Sequence, residues 1–141
     1  MRARLTRVSV AAVLAPMVAV VTTVVVVAAA PVAQAGGCGG RVWAPPAGGE
    51  NEDSGGTSIW GSPGTKVGYE WDVQGDIGKV NVSVMGYDET SNNETWYYAG
   101  LWNSGSHGRA LVPWGNNASV PRIRVKTPPG PFPGAMVDWS C

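Results

Sequence analysis

The chain has 141 residues and carries ten basic and ten acidic side chains. Three of the basic residues lie within the first seven positions, so the rest has seven basic against ten acidic residues, a net charge of −3. This balance excludes the basic surface of a nucleic-acid-binding protein and that of a protein held on an anionic membrane surface.

Residues 1–35 have the pattern of a cleaved secretory signal peptide. A positive start is followed by a long uncharged apolar run, and Ala33-Gln34-Ala35 supplies the small residues that signal peptidase requires. Two alternatives stay open. The apolar run is long enough to be an uncleaved membrane anchor, and Cys38 could be lipidated, although the aliphatic residue favoured three positions before such a cysteine is absent. Cleavage after Ala35 predicts a secreted, extracellular chain with no membrane association.

The only two cysteines, Cys38 and Cys141, lie at opposite ends of this predicted mature chain. Two cysteines in a small exported domain are expected to be oxidised rather than free. The placement therefore predicts one disulfide that joins the first segment of the domain to its last strand.

Residues 36–64 form a glycine-rich segment. They include ten glycines and the pair Pro45-Pro46. Each glycine inside a helix costs about 1 kcal/mol relative to alanine, so a long helix is excluded here. We predict an extended, partly mobile N-terminal arm with one or two short strands, followed by a separate folded domain over residues 65–141.

In residues 65–141 the apolar side chains alternate with polar ones, which is the pattern of half-buried strands. One predicted strand begins at Thr65 and places four residues on one face, namely Val67, Tyr69, Trp71 and Val73. Further strands are predicted through 80–84, 95–103, 109–114, 120–127 and 135–141, with glycine, proline and asparagine between them. No helical period is present, so the fold class is all-β, a small antiparallel β-sandwich of immunoglobulin-like size.

The fifth of these strands contains Pro121 and a basic stripe. Proline cannot donate to a ladder, so this strand is predicted to lie at a sheet edge or to begin after the proline. The stripe consists of Arg122, Arg124 and Lys126 at a spacing of two. It is either a docking face or one side of cross-strand ion pairs, for example with Glu70 and Asp72, and we favour the ion pairs.

The sequence contains no pattern that predicts a catalytic residue, a metal site or a cofactor. The one histidine, His107, lies in a predicted turn without a nucleophile-elbow pattern, and it cannot complete a zinc site by itself. Residues 50–61 resemble a calcium loop only until the twelfth position, which is glycine. Three carboxylates that could meet in a glycosidase arrangement are Glu70, Asp72 and Asp138, but nothing in their spacing requires it. We therefore expect a protein that is not an enzyme.

Aromatic residues are the unusual feature, with seven tryptophans, four tyrosines and one phenylalanine. Trp71, Trp96 and Trp139 fit apolar faces, which leaves a surplus for binding. The predicted protein-binding residues are Arg41, Val42, Trp43, Pro45 and Pro46; the alternative for Trp43 is that it packs back on the domain. The predicted sugar-stacking residues are Trp60, Tyr97 and Trp102.

The layout resembles the small adaptor subunits of secreted umbrella toxin particles from actinobacteria. The similar features are the end of the leader, the glycine-rich segment with Cys38 and Arg41-Val42-Trp43, the β-rich body, and the closing residues 136–141. The resemblance implies two partners. Residues 41–46 would contact a lectin-like subunit, and an open sheet edge would receive a strand from a repeat-containing toxin chain.

The first functional hypothesis is thus a secreted, non-enzymatic protein-binding module that acts as an adaptor or assembly subunit of an extracellular, toxin-like complex. Two alternatives remain. One is a carbohydrate-binding module that binds polysaccharide through its surplus aromatic residues. The other is a small secreted inhibitor of a hydrolase, with residues 43–46 as the inserted loop.

Overall fold

The computed structural model describes residues 32–33, of which only the backbone is considered, and residues 37–141. Most of the predicted signal peptide lies outside these residues. The strands are β1 Val32–Ala33, β2 Gly39–Ala44, β3 Glu50–Ser54, β4 Ile59–Trp60, β5 Lys66–Gln74, β6 Lys79–Tyr87, β7 Glu94–Asn103, β8 His107–Pro113, β9 Ala118–Ser119, β10 Arg122–Lys126 and β11 Ala135–Ser140. Within the described part of the chain, no helix is long and apolar enough to cross a membrane.

Two antiparallel sheets contain most of these strands, which confirms the predicted fold class. In sheet A the strand order is β8-β5-β11-β2, and in sheet B it is β7-β6-β10-β3. β1 adds a short parallel pairing to β5, and β4 pairs with β9 in a separate two-stranded ladder. β5 and β6 show the alternation that the sequence predicts, because Val67, Tyr69, Trp71 and Val73 face inward and so do the alternate valines of β6.

The core between the sheets consists mainly of valine and aromatic side chains. Trp71 packs edge-on against Trp102 at 5.5 Å between ring centroids, and Tyr69 stacks on Trp139 at 5.9 Å. Edge-on and offset contacts of this kind add roughly 0.5–1.5 kcal/mol each to the gain from burial. The core is therefore held by large rings from both sheets as well as by β-branched residues.

Tyr69 links the two sheets through its hydroxyl. The hydroxyl group donates to the carbonyl of Met85 in β6 at 2.8 Å and accepts from the backbone N–H of Arg122 at 3.3 Å. Burial raises the pKa of Tyr69 well above its ordinary value of 10.0. The side chain is therefore neutral in the folded protein over the whole physiological range.

The disulfide between Cys38 and Cys141 is present, as predicted. It joins the ends of β2 and β11, which pair in register from Ala44 with Ala135 to Gly39 with Ser140. A disulfide is consistent with an extracellular or otherwise oxidising environment.

The glycine-rich segment differs from the predicted arm. β2 is the edge strand of sheet A, and β3 is the edge strand of sheet B. Between them, the Asn51 side chain donates to the carbonyl of Trp43 at 2.8 Å. Both strands are therefore part of the sandwich, because each of them finds a strand far away in sequence as its partner.

A β-bulge in β7 determines which of its aromatic residues face the core. Ser83 pairs with Tyr98 and Val82 with Gly100, so Ala99 has no partner on β6. The extra residue reverses the alternation. As a result Tyr97 and Trp102 both face inward, opposite buried valines, whereas Tyr98 and Leu101 are exposed on the outer face of sheet B.

The basic stripe forms ion pairs, although not with the carboxylates that the sequence suggested. β10 begins after Pro121, one of the two predicted outcomes, and lies between β3 and β6 rather than at an edge. Arg124 donates to Glu52 at 2.8 Å and Lys126 lies 3.4 Å from Glu50. Glu70 and Asp72 belong to sheet A, so they cannot reach this stripe.

We predict that replacing both cysteines by serine lowers the free energy of unfolding by about 2–5 kcal/mol. The bond closes a loop of 103 residues and so restricts the unfolded chain strongly. Urea unfolding followed by circular dichroism measures the loss. A double variant as stable as the oxidised protein would contradict this account.

We also predict that Tyr69→Phe costs about 1–3 kcal/mol of stability, because it leaves the buried carbonyl of Met85 without its donor. A group with a raised pKa in the folded state stabilises the protein fully below its unfolded pKa, here about 10, and loses that contribution as pH rises further. Urea midpoints measured between pH 7 and pH 11 should therefore fall more steeply for the wild type than for Tyr69→Phe. Tyr98→Phe, at an exposed position, serves as the control and should keep the wild-type slope.

Candidate functional site

The strand directions divide the surface of the sandwich into two ends. β2, β11 and the disulfide place residues 37–38 and Cys141 at one end, which we call the terminal end. The opposite end consists of four loops, 45–49, 75–78, 104–106 and 127–134. We call it the proline end because most of the prolines after the predicted leader lie there.

The proline end carries an unusual amount of exposed apolar surface. Ile77 is 74% exposed and Trp43 is 44% exposed. Around them lie exposed prolines and half-buried apolar side chains, namely Pro46, Pro129, Pro131, Phe132, Pro133 and Met136. Contiguous exposed apolar surface of this kind on a small domain marks an interaction site more often than would be expected by chance.

Hydrogen bonds fix two loops of the proline end, 45–49 and 127–134, against each other. The buried hydroxyl of Thr127 donates to the carbonyl of Pro45 at 2.5 Å and accepts from the N–H of Gly48 at 2.9 Å. The N–H of Ala47 donates to the carbonyl of Phe132 at 3.3 Å. Because the loops are tied together and rich in proline, little conformational freedom remains to be lost when a partner binds.

Trp43 is positioned by a close approach to Gly134. A Cβ atom at Gly134 would overlap the indole of Trp43 and would lie only 2.6 Å from the carbonyl oxygen of Ala44. The six-membered ring of the indole therefore lies against the backbone at Gly134, and Trp43 as a whole stays 44% exposed. Trp43 thus partly packs on its own domain and partly remains available to a partner.

A row of charged residues borders the proline end on the outer face of sheet A. In register across the four strands stand His107, Asp72, Asp138 and Arg41, which we call the ionic row. Arg41 forms an ion pair with Asp138, which raises the pKa of the Arg41 guanidinium, and His107 lies 3.0 Å from Asp72. The two central aspartates would repel each other, and the guanidinium of Arg41 at one end of the row offsets that repulsion.

The structure separates the predicted protein-binding residues into two groups. Arg41, Trp43 and Pro46 are exposed and Pro45 is half-buried, so all four lie at the surface. Val42 is 5% exposed and belongs to the core, because alternate residues of a strand point to opposite faces. Val42 cannot contact a partner while β2 is paired.

The predicted sugar-stacking residues do not form one platform. Trp60 is 81% exposed on β4 at the terminal end. Tyr97 faces inward and donates its hydroxyl to the carbonyl of Tyr87 at 2.9 Å, and Trp102 packs on Trp71. Only Trp60 is free to stack on a ligand.

Of the three carboxylates considered in the sequence, two are direct neighbours. Asp72 and Asp138 are cross-strand partners, and Glu70 is next to them on the same outer face. Among residues 37–141 no group of three or more acidic, histidine or cysteine side chains has an arrangement that could hold a metal ion.

Sequence reasoning missed the contribution of Ile77, Phe132 and Met136 to the proline end. Ile77 follows Gly75-Asp76 in the short turn that joins β5 of sheet A to β6 of sheet B. An exposed apolar residue is unusual in such a turn, and that was the available signal. Phe132 and Met136 lie about 90 residues from Trp43 in sequence, and only the β2–β11 pairing brings them together. Comparison with protein-family models, curated proteins and solved structures finds no match for this chain.

We predict that Gly134→Ala destabilises the protein by about 1–3 kcal/mol, because the added methyl group must displace the Trp43 indole or part β2 from β11. Thermal unfolding measures the effect. Gly68→Ala is the matched control, since its new methyl group would meet only Leu111, at 3.9 Å. Equal stability of the two variants would show that Trp43 is not held against the 127–134 loop.

Proposed function

We propose that this protein is a secreted, non-enzymatic protein-binding module that acts as an adaptor or assembly subunit of an extracellular complex. The observation that carries the proposal is the proline end, a pre-ordered apolar surface with Trp43 at its side and the ionic row along its border. Protein interfaces share this composition, with an aromatic and apolar centre, arginine, and a polar rim.

Arg41 and Trp43 are the residues on which we place the contact. Both point outward from the edge strand β2, and because they are two residues apart they lie on the same face of the strand. Trp and Arg are the residue types that most often dominate binding energy at interfaces. In this proposal the segment binds as a fixed face of the sandwich rather than as a free arm inserted into a groove.

The position of the disulfide supports an assembly role. Cys38 and Cys141 both lie at the terminal end, and within residues 37–141 the proline end is built from loops. A second attachment could use β7, an edge strand of sheet B with no charged residue between Thr95 and Trp102. Uncharged edge strands are suited to pairing with an added strand. The partners proposed for the two surfaces are a lectin-like subunit and a repeat-containing toxin chain, as the resemblance implies.

The test is to isolate the protein from culture supernatant and identify its companions. A tag on the C-terminus lies at the terminal end and leaves the proline end free. We expect the tagged protein to elute from size-exclusion chromatography in a larger complex, and mass spectrometry then names the other secreted chains. Elution of the wild type as a bare monomer would contradict the proposal.

We predict that Trp43→Ala, alone and with Arg41→Ala, weakens the complex by about tenfold or more, as expected for an interface hot spot. Trp60→Ala is the matched control, because it removes the same side chain from the opposite end. It should leave the complex intact. Thermal unfolding of all variants confirms that a lost partner does not reflect a lost fold. A complex that survives both substitutions would place the contact elsewhere.

A further inference from the structure

A second candidate site lies at the terminal end, away from the proline end. A cavity of about 230 Å³ opens there between the start of β5 and the loop that joins β6 to β7. Its wall includes Thr65, Tyr87, Asp88, Glu89, Asn92 and Gly115. The wall therefore combines one aromatic ring with carboxylate and amide groups and contains no basic side chain.

Trp60 stands beside this cavity and is the most exposed large apolar residue of the described chain, at 81%. Its backbone is fixed on both sides. Ile59 is buried in the core, and the N–H of Gly61 donates to the carbonyl of Asn117 at 2.8 Å. Gly61 also lies directly against the carbonyl of Gly115 in the cavity wall. The backbone that carries this solvent-exposed indole is thus held one residue away from the cavity wall.

The polar groups of the cavity are also held in place. One oxygen of Asp88 accepts hydrogen bonds from the N–H of Thr90 and from the N–H and hydroxyl of Ser91, at 3.0, 2.7 and 2.9 Å. These bonds lower the pKa of Asp88 below its ordinary value, so the carboxylate is ionised at neutral pH. Its other oxygen receives no hydrogen bond from the described residues.

Asn92 is oriented by a side chain from another loop. Its amide oxygen accepts from the Asn117 side chain at 2.8 Å, and its amide nitrogen donates back at 3.3 Å. Asn117 in turn donates to the carbonyl of Trp114 at 2.7 Å. The amide pair thus links the wall of the cavity to the strand next to Trp60.

We propose that the terminal end binds a neutral polysaccharide, with Trp60 stacked on one sugar ring and the cavity beside it receiving the hydroxyl groups of the next. A pyranose ring presents a face of C–H groups that packs on a flat indole, while its edge carries hydroxyl groups that donate to carboxylates and bond to amides. A concave wall with few, fixed polar groups gives such a ligand its orientation. Asp88 and Glu89, without a nearby basic side chain in the wall, disfavour acidic polysaccharides.

This site is independent of the proposed protein contact, because Trp43 and the proline end lie at the other end of the strands. Failure of one proposal therefore leaves the other unaffected. Substitution of Trp60 is also safe for the fold, since its side chain is almost entirely in solvent.

The test is native affinity electrophoresis of the oxidised protein in gels that contain hydroxyethylcellulose, soluble arabinoxylan or glycol chitin, with alginate as the acidic polysaccharide. We expect retardation by at least one of the three neutral polymers and none by alginate. Trp60→Ala should weaken that binding by about tenfold or more. Trp60→Tyr should restore part of it, since it returns a flat ring to the site.

Trp43→Ala is the matched control and should be retarded like the wild type. Asn92→Ala should also weaken binding. Its thermal stability should fall by much less than that of a variant with a core residue replaced. Failure of all three neutral polymers to retard the wild type would overturn the proposal. Equal retardation of Trp60→Ala and the wild type, or equal retardation by alginate, would overturn it as well.

Discussion

The pairing of β2 with β11 is the constraint on which the rest of this structure depends. It places the first and last long strands of the domain side by side, and the Cys38–Cys141 bond closes the pair at one end. The N–H of Cys141 also donates to the carbonyl of Cys38 at 3.3 Å. Because this pairing holds Cys38 and Cys141 at one end, the loops that follow β2 and precede β11 meet at the opposite end, and those loops carry exposed apolar side chains.

Sheet B is organised by charge on its outer face. Arg122 and Arg124 lie over the ring of Trp96, at 5.5 and 4.1 Å from its centroid, and both form ion pairs with glutamates from β3 or β7. Such contacts are individually weak at exposed positions, but a network that shares partners holds its geometry better than isolated pairs. The basic stripe is neutralised within its own sheet, and this is why we place no proposed contact on it.

The sequence was most informative where the strand pattern is local. β5 and the first part of β6, residues 79–84, alternate between buried and more exposed positions, so their faces could be predicted from the order of the residues. The disulfide followed from the placement of two cysteines. The residues that determine the strand faces are close in sequence, and the residues that form the disulfide are the only two cysteines of the chain.

Prediction was less successful where distant partners decide the structure. β3 has the sequence Glu-Asn-Glu-Asp-Ser, which contains no apolar residue, and it is a strand because β10 supplies a ladder and three basic side chains beside it. In β7 the bulge at Ala99 reverses the alternation, and one extra residue is invisible to a period-two pattern. With the bulge, Tyr97 and Trp102 both face inward, and Trp60 lies on the separate β4–β9 ladder, so the predicted sugar-stacking residues do not meet.

The two candidate sites are separated by the length of the sheets, so the free energies of binding at the two sites should be almost additive. A strand of nine residues such as β5 spans about 30 Å, and sites that far apart with no shared contacts contribute almost additively to binding. The intervening core is packed with fixed aromatic rings, so neither site needs to change shape when the other is occupied. If both are used, the gain from bivalent attachment comes from holding the protein partner and the polysaccharide at a fixed distance. In that case the β-sandwich acts as a rigid spacer. The folded sandwich, more than any flexible segment, then sets the distance between the two ligands.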